Sequence, residues 1–492
     1  MPPSNVSAAL AGSKLGVLSI VFFTVAAGAP ATIVGGVSAN GFAVAGTPGL
    51  PLGHLAMALV VGAFAIGYVT MSRHVDNAGA FYAYIAKGLG GATGTGAGAV
   101  AVVSYLMILA GLLGGFGVGA ADFAERLTGV AVAWWWFSAA AILLVAALGV
   151  QRIDVNGRVL ALLLLAEVTV LVVFDVAFVA APAPGGVGFG ALNPAVLLTG
   201  SAGSILLIAF TGFIGFANLT VLAQQARDPR TVIRAASLSL LIISALFAAS
   251  TWAITEAAGP GGVVAAADRH STRLLFVLAA ERLPVALVDL GNALYLTSLF
   301  AAALAFHHVC ARYLFALGRE GIGAAWWART STRTAAPVAG SLVATGAASV
   351  AVLVTGMLGL DPAVHLFFWG ATTGALGVLL LVLLTSVAVV GYFRRVGGHG
   401  HGAWPTTIAP TAASVLLAVV LVLAVSSYGT TLGVGPGHAL GWVVPSGLAV
   451  VFTLGLVWGV VLKHARPQVY ARIGLGARAT VVRIGPEELV GR

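Results

Sequence analysis

The chain is 492 residues long, with 60% hydrophobic residues, 8% charged residues and a mean hydropathy of +1.04. A soluble fold of this length could not hide so much apolar surface, so most of the chain must have lipid as its solvent. The formal net charge of +9 would suit a nucleic-acid partner. The basic residues fall in short segments between apolar stretches, which argues against a nucleic-acid-binding protein. The single cysteine, Cys310, excludes an internal disulfide.

Twelve apolar stretches are predicted to cross the membrane, because roughly twenty residues span the hydrocarbon core. They cover residues 15–39, 51–72, 96–121, 132–150, 159–181, 200–223, 234–256, 284–310, 336–356, 365–390, 408–427 and 441–463. Lys14 and an apolar run that ends in Ala27-Gly28-Ala29 imitate a cleavable signal peptide. The apolar character continues past Pro30 to a full spanning length, so we expect the first helix to be retained.

The basic residues predict the orientation of these spans. With the N-terminus inside, 20 of the 24 Lys and Arg residues fall in cytoplasmic segments. The four outside are Arg126, Arg269, Arg273 and Arg282. This asymmetry follows the positive-inside rule and predicts a multi-pass protein of the cytoplasmic (plasma) membrane with both termini, 1–14 and 464–492, in the cytoplasm. We expect the C-terminal tail to be disordered rather than bound to anionic headgroups.

Two predicted spans are interrupted by glycine at matching places. Span 1 contains AAGAPATIVGG at residues 26–36, and span 6 contains GFIGFAN at residues 212–218. A break at membrane depth frees backbone N–H and C=O groups, and it is tolerated where it lines a polar cavity or meets a ligand. Gly28 permits a tight turn, and the N-terminus of the half-helix that follows suits a carboxylate. The alternative is that these small residues only allow close helix packing.

The breaks divide the chain into two predicted repeats of five spans, residues 15–181 and 200–390. An odd number of crossings inserts the repeats in opposite senses, so the two breaks should face each other near the midplane. The last two spans, residues 408–463, would be peripheral. The predicted fold class is therefore an all-α polytopic membrane protein with 12 transmembrane helices.

Ionisable residues inside a membrane are costly, and each is a candidate for function. Glu167 lies on the order of 12 Å into span 5, where it could carry a transported proton or be a neutral structural group. His307, followed by His308 in span 8, could relay a proton, although a packing role is the alternative. Thr297 and Ser298 could instead supply hydroxyls to a sodium site.

Sites for metals and cofactors are not indicated. The pattern His399-Gly400-His401 is too sparse for a metal site, and we expect a cytoplasmic turn there. The sequence holds no phosphate-binding P-loop, no glycine-serine nucleophile elbow and no HExxH motif. We therefore expect no metal and no cofactor.

Three stretches resemble the amino acid–polyamine–organocation superfamily of secondary transporters. They are NAGAFYAY at residues 77–84, FTGFIGF at 210–216 with RDPRTV at 227–232, and ARYLFALGREG at 311–321. In this order and spacing they are specific, and the resemblance covers nearly the whole chain. It implies a leucine-transporter-type fold with five-plus-five inverted repeats, broken helices 1 and 6, and alternating access.

The resemblance also implies a substrate site. The backbone around Ala31, Thr32 and Ile33 would meet the substrate carboxylate, and the pocket would be completed by Phe213, Ile214, Gly215, Ala217 and Asn218. The family commonly has an acid where this chain has Ala217, and an acidic pair where it has Gln224-Gln225. Because the acid is missing, a neutral zwitterion fits better than arginine or a polyamine.

These observations predict a secondary active transporter, a permease for a small neutral amino acid or related amine, coupled to protons in preference to sodium. A sodium-coupled or exchange-type amino acid or polyamine carrier is the alternative. A polytopic enzyme that uses His307 or His308 with Glu167 is a second hypothesis, and a channel is a third. The expected partners are the substrate, a co-transported ion and the lipid bilayer, without nucleic acid.

Overall fold

The computed structural model describes residues 16–75, 81–151, 157–199, 201–218, 229–331, 336–398, 400–435 and 437–476. In these ranges the chain is helical and contains no β-strand, which confirms the predicted all-α class. The α-helices are α1 Val17–Ala27, α2 Ala39–Ala45, α3 Leu50–Ser72, α4 Phe81–Leu89, α5 Gly91–Thr128, α6 Trp134–Gly149, α7 Gly157–Ala180, α8 Val196–Thr199, α9 Ala202–Thr211, α10 Pro229–Ala258, α11 Val263–His270, α12 Leu274–Ala280, α13 Val285–Glu320, α14 Val338–Met357, α15 Trp369–Val396, α16 Ala409–Ser426, α17 Tyr428–Thr431, α18 Leu440–Ala465 and α19 Pro467–Tyr470.

Ten helical segments in the described residues are long and apolar enough to cross a membrane. They correspond to ten of the twelve predicted spans. The other two, 132–150 and 200–223, correspond to the shorter apolar helices α6 and α9. Helix α9 is short because it ends at Thr211 and a turn follows at Gly212.

Helix α5 is the centre of the packing, and it is longer than the predicted span of 96–121. It starts after Gly90, which has a φ of 101°, and ends before Gly129, which has a φ of 73°. Both values are accessible to glycine without strain, so these residues mark the helix ends. Along its length α5 contacts α4, α6, α13, α15 and α18. It thereby connects the first half of the chain to the second.

A short helical segment packs against the C-terminal part of the first interrupted span. Residues Ser271–Arg273 form a 3₁₀ turn that continues into α12, where Leu274 and Leu275 are buried. The Ser271 hydroxyl donates to Asn40 Oδ1 over 2.8 Å, which ties this segment to α2. Helix α12 therefore buries these leucines against the protein itself.

The expectation of a disordered tail is wrong for its first part. After α18 the chain forms α19 and continues to Gly476, with Ile473 only 7% exposed. The cause is a buried carboxylate, Glu320, which binds backbone N–H groups of Gly474 and Gly476. Residues 477–492 lie outside the described ranges.

Candidate functional site

The first interrupted segment turns at Gly28 and Ala29. Helix α1 ends at Ala27, and the chain re-enters a helix at Pro30 and continues as a π-helix over Thr32–Ser38. Ala29 has a φ of 45°, a conformation that costs a non-glycine residue roughly 1–2 kcal/mol. Pro30 supplies no backbone N–H. The interruption is therefore built into the backbone of span 1.

The second interrupted segment lies directly against the first. Helix α9 ends at Thr211, a turn follows at Gly212, and a 3₁₀ helix covers Ile214–Asn218. A Cβ atom added at Gly215 would overlap the carbonyl group of Ala27 and would lie 2.6 Å from the Gly28 nitrogen. The two backbones are thus in contact at a place where only glycine fits.

A cavity of about 40 Å³ lies between these two segments. Its lining comes from both breaks and from helices α5, α13 and α15, and it comprises Ala27, Gly28, Ala29, Thr32, Ile33, Val37, Ile108, Leu112, Thr211, Ile214, Gly215, Ala302, Phe306, Phe367 and Ala371. Of the residues predicted for the substrate site, Gly28, Thr32, Ile33, Ile214 and Gly215 line it.

The other predicted site residues take different places. The Ala31 nitrogen faces Glu167 instead of the cavity, and the Phe213 ring packs against Phe247, with ring centroids 6.4 Å apart. The side chains of Ala217 and Asn218 lie outside the described part of the chain.

The cavity lining is almost entirely apolar. Among the described residues that line it, only Thr32 and Thr211 carry hydroxyls, and none has a charged side chain. Both hydroxyls donate hydrogen bonds within the protein, Thr32 to Ser298 Oγ over 3.1 Å and Thr211 to the Ile208 carbonyl over 2.6 Å. A charged group in the cavity would therefore meet backbone dipoles rather than ionised side chains.

Glu167 lies immediately behind the first break. Its Oε1 accepts a hydrogen bond from the Ala31 nitrogen over 2.5 Å and another from the Ser298 hydroxyl over 2.9 Å. Because Thr32 donates to the same Ser298 hydroxyl, these groups form one continuous network from α7 to the cavity wall. The Glu167 side chain is buried and makes no salt bridge with any described residue.

The two hydroxyls proposed for a sodium site are separated by the structure. Ser298 belongs to the Glu167 network, whereas the Thr297 hydroxyl donates to the Leu294 carbonyl of its own helix over 2.8 Å. Only Ser298 is therefore brought to the first break.

His307 lies away from the first break, between helices α13 and α14. Its Nε2 lies 3.2 Å from the Ser341 carbonyl oxygen and 3.1 Å from Thr345 Oγ1, both on α14. These partners connect α13 to α14 and do not include Glu167. In the described residues, no group of three or more potential metal ligands occurs. His399 is not among the described residues, and His401 Nε2 lies 3.4 Å from His74 Nε2.

Sequence reasoning missed the apolar walls of the cavity. They come as pairs four residues apart, Ile108 with Leu112 on α5 and Ala302 with Phe306 on α13. That spacing places each pair on one helix face. In a lipid-embedded helix the face toward lipid is equally apolar, so the sequence holds no signal that separates a cavity wall from a membrane contact.

The architecture defines the class of protein: a multi-pass membrane protein with a small cavity between two interrupted helices. The amino acid permease family model matches residues 20–466. The chain therefore belongs to the amino acid permease family, within the superfamily that its sequence resembles. No curated protein matches the chain significantly. Because this is a family of transporters and not of enzymes, family and architecture together support amino acid transport.

Proposed function

We propose that this chain is a secondary carrier that moves a small neutral amino acid across the cytoplasmic membrane by alternating access, driven by protons. The observation that carries the proposal is the uncharged cavity between two interrupted helices, with a buried carboxyl group bound to one of the breaks. The proposal includes twelve spans in two inverted repeats, residues 15–181 and 200–390, with both termini cytoplasmic. The loop charges and the contact of the two breaks support that arrangement.

Backbone groups would bind the charged ends of the substrate. A zwitterion carries one carboxylate and one ammonium group, and the breaks expose N–H and C=O groups at the cavity wall. The apolar residues on α5, α13 and α15 would surround the substrate side chain. A water needs roughly 10–15 Å³ of such space, so a cavity of about 40 Å³ holds about three waters and favours a short side chain.

Glu167 would couple the substrate to a proton. When it is ionised, its carboxylate holds the Ala31 N–H by a strong, charge-assisted hydrogen bond. A proton on Glu167 weakens this bond, so that the first break can rearrange and turn the Ala31 N–H toward the carboxylate of the substrate. The proton and the substrate would then occupy the protein together, which is the condition for symport.

Sodium coupling is the second candidate, and one observation favours it. Oxygen atoms of Glu167, Ser298 and Thr32 lie together behind the break, and hard cations prefer oxygen ligands. The hydrogen bonds among these oxygens favour the proton, because Glu167 Oε1 and Ser298 Oγ already accept hydrogen bonds with the lone pairs that a cation would need.

Binding to the purified protein tests the substrate class. One labelled neutral amino acid is competed with unlabelled alanine, leucine, tryptophan, glutamate, arginine and putrescine. We expect alanine to compete best, tryptophan poorly, and the charged compounds least. Tighter binding of arginine or putrescine than of any neutral amino acid would overturn the proposed substrate class.

A further inference from the structure

The described part of the C-terminal tail, residues 466–476, folds back onto the helical bundle, and we name it the C-terminal latch. It lies on the ends of α5 and α13. A Cβ atom at Gly91 would meet the Tyr470 ring at 3.0 Å, and one at Gly321 would meet Val469 at 3.2 Å. The latch is thus packed against the end of the bundle that the charge distribution assigns to the cytoplasm.

Glu320, the last residue of α13, binds the latch. Its Oε1 accepts hydrogen bonds from the Gly476 nitrogen over 2.8 Å and from the Tyr82 hydroxyl over 2.9 Å, and its Oε2 accepts one from the Gly474 nitrogen over 2.9 Å. The side chain is only 1% exposed. One carboxylate therefore joins the latch to α4, which carries Tyr82, and to α13.

A series of four rings, here called the aromatic column, leads from Glu320 to the cavity. Neighbouring ring centroids are 6.0 Å apart for Tyr82 and Tyr313, 5.4 Å for Tyr313 and Tyr105, and 5.9 Å for Tyr105 and Phe306. Phe306 lines the cavity. At 1.5 Å per residue, Phe306 and Glu320 are about 21 Å apart along α13. The column therefore fills the region between the cavity and the latch.

We propose that the C-terminal latch is an autoinhibitory contact that keeps the cavity closed toward the cytoplasm. A solute that leaves the cavity at this end must displace the rings of the column. Tyr82 is held by Glu320, and Tyr313 accepts a hydrogen bond from the Phe81 nitrogen over 3.0 Å, so these two rings are tied to α4. Release of the latch from Glu320 frees α4. The equilibrium between a held and a released position of α4 then shifts toward the released one, which favours opening of the cavity.

Cys310 provides a native reporter of this opening. It is the single cysteine of the chain, it is fully buried, and its position between Phe306 and Tyr313 puts it on the column side of α13. The experiment measures the rate of Cys310 alkylation by N-ethylmaleimide in the full-length protein in lipid nanodiscs. We expect Cys310 to react about tenfold faster in the Glu320→Gln variant than in the wild type. Gln has an amide NH₂ group in place of one carboxylate oxygen, and this donor would face a backbone N–H group of the latch instead of accepting from it.

Matched variants make the result decisive. Tyr82→Phe removes only the hydroxyl that binds Glu320. We expect it to raise the rate of Cys310 alkylation less than Glu320→Gln does. Glu281→Gln changes a surface acid that pairs with Arg282, and we expect the wild-type rate. Unchanged alkylation in a monodisperse Glu320→Gln protein overturns the proposal.

General loosening of the fold is tested with a second reporter. Ser138 is fully buried on α6, and Ser138→Cys is placed in a Cys310→Ser background. We expect Glu320→Gln to leave the alkylation rate at position 138 unchanged. Equal acceleration at both positions would mean global destabilisation and would overturn the proposal. Neither measurement needs a substrate, so failure here is distinct from failure of the proposed transport function.

Discussion

At the residue scale, one buried carboxyl group connects three parts of the protein. Glu167 on α7 binds the backbone of the first break through Ala31 and binds α13 through Ser298. A carboxylate without an ion pair is expensive in an apolar surrounding, and each of these donors offsets only part of that cost. In the proposed mechanism this group therefore gains a proton when its neighbours rearrange.

Glu167→Gln tests the coupling role. Gln keeps the shape and can accept the Ala31 hydrogen bond, but it cannot release a proton. We expect accumulation driven by a pH gradient to fall about tenfold or more, because position 167 can then neither take up nor release the coupled proton. Exchange of labelled for unlabelled substrate without a gradient should persist.

Asp175→Asn is the control for that variant. Asp175 is a second acid on α7, and it accepts a hydrogen bond from the Ser250 hydroxyl over 2.7 Å, away from the break. We expect its replacement to leave gradient-driven uptake intact. If Glu167→Gln still accumulates substrate in response to a pH gradient, Glu167 does not carry the proton.

Ala217→Glu tests the argument from substrate charge. The change adds an acid two residues after Gly215, which lines the cavity, and an opposite charge within about 4–6 Å favours a bound cation. We expect relative affinity to move from neutral amino acids toward arginine or a diamine, measured by competition against one labelled substrate. Ala217→Gln, which adds similar volume without charge, should not produce this shift.

Sequence reasoning identified Glu167 and missed Phe306 for the same physical reason. A carboxyl in an apolar span is costly and therefore conspicuous. A phenylalanine in such a span has no cost in free energy, whether its side chain faces lipid or the protein interior. Polar members of the site can be predicted from composition alone, whereas apolar members require the helix rotations that only tertiary packing determines.

At the scale of elements, the interruptions depend on small residues that let two backbones touch. Gly28, Gly35 and Gly215 all occur in the predicted breaks, and the contact between Gly215 and Ala27 explains one of them directly. The sequence could predict the breaks because glycine and proline weaken helices locally. It could not predict the π-helix over Thr32–Ser38, which extends the interrupted segment by two turns.

Gly215→Ala tests the contact between the breaks. A methyl group would overlap the Ala27 carbonyl, so the segments must move apart and the cavity must change shape. We expect substrate binding to weaken about tenfold or more, which corresponds to roughly 1.4 kcal/mol. Gly346→Ala is the matched control, since a Cβ there meets no atom within 4 Å. Equal binding by both variants would contradict a shared pocket.

At the scale of the whole molecule, the hydropathy of the sequence predicts the ten long apolar helices of the described residues, because it reports each long helix separately. The ends of the helices were less predictable. Helix α13 continues to Glu320, ten residues beyond the predicted span 284–310, and its last turns are buried within the protein, where Glu320 binds the latch. Such extensions depend on contacts with segments more than a hundred residues away, and the local sequence does not indicate these contacts.

Uptake into proteoliposomes tests the central claim most directly. Purified protein is reconstituted, and labelled alanine uptake is measured with an inward proton gradient, with an inward sodium gradient and with neither. The account predicts accumulation with the proton gradient, no requirement for sodium, and inhibition by neutral amino acids more than by arginine. Uptake that follows external sodium and ignores an imposed pH gradient would contradict it.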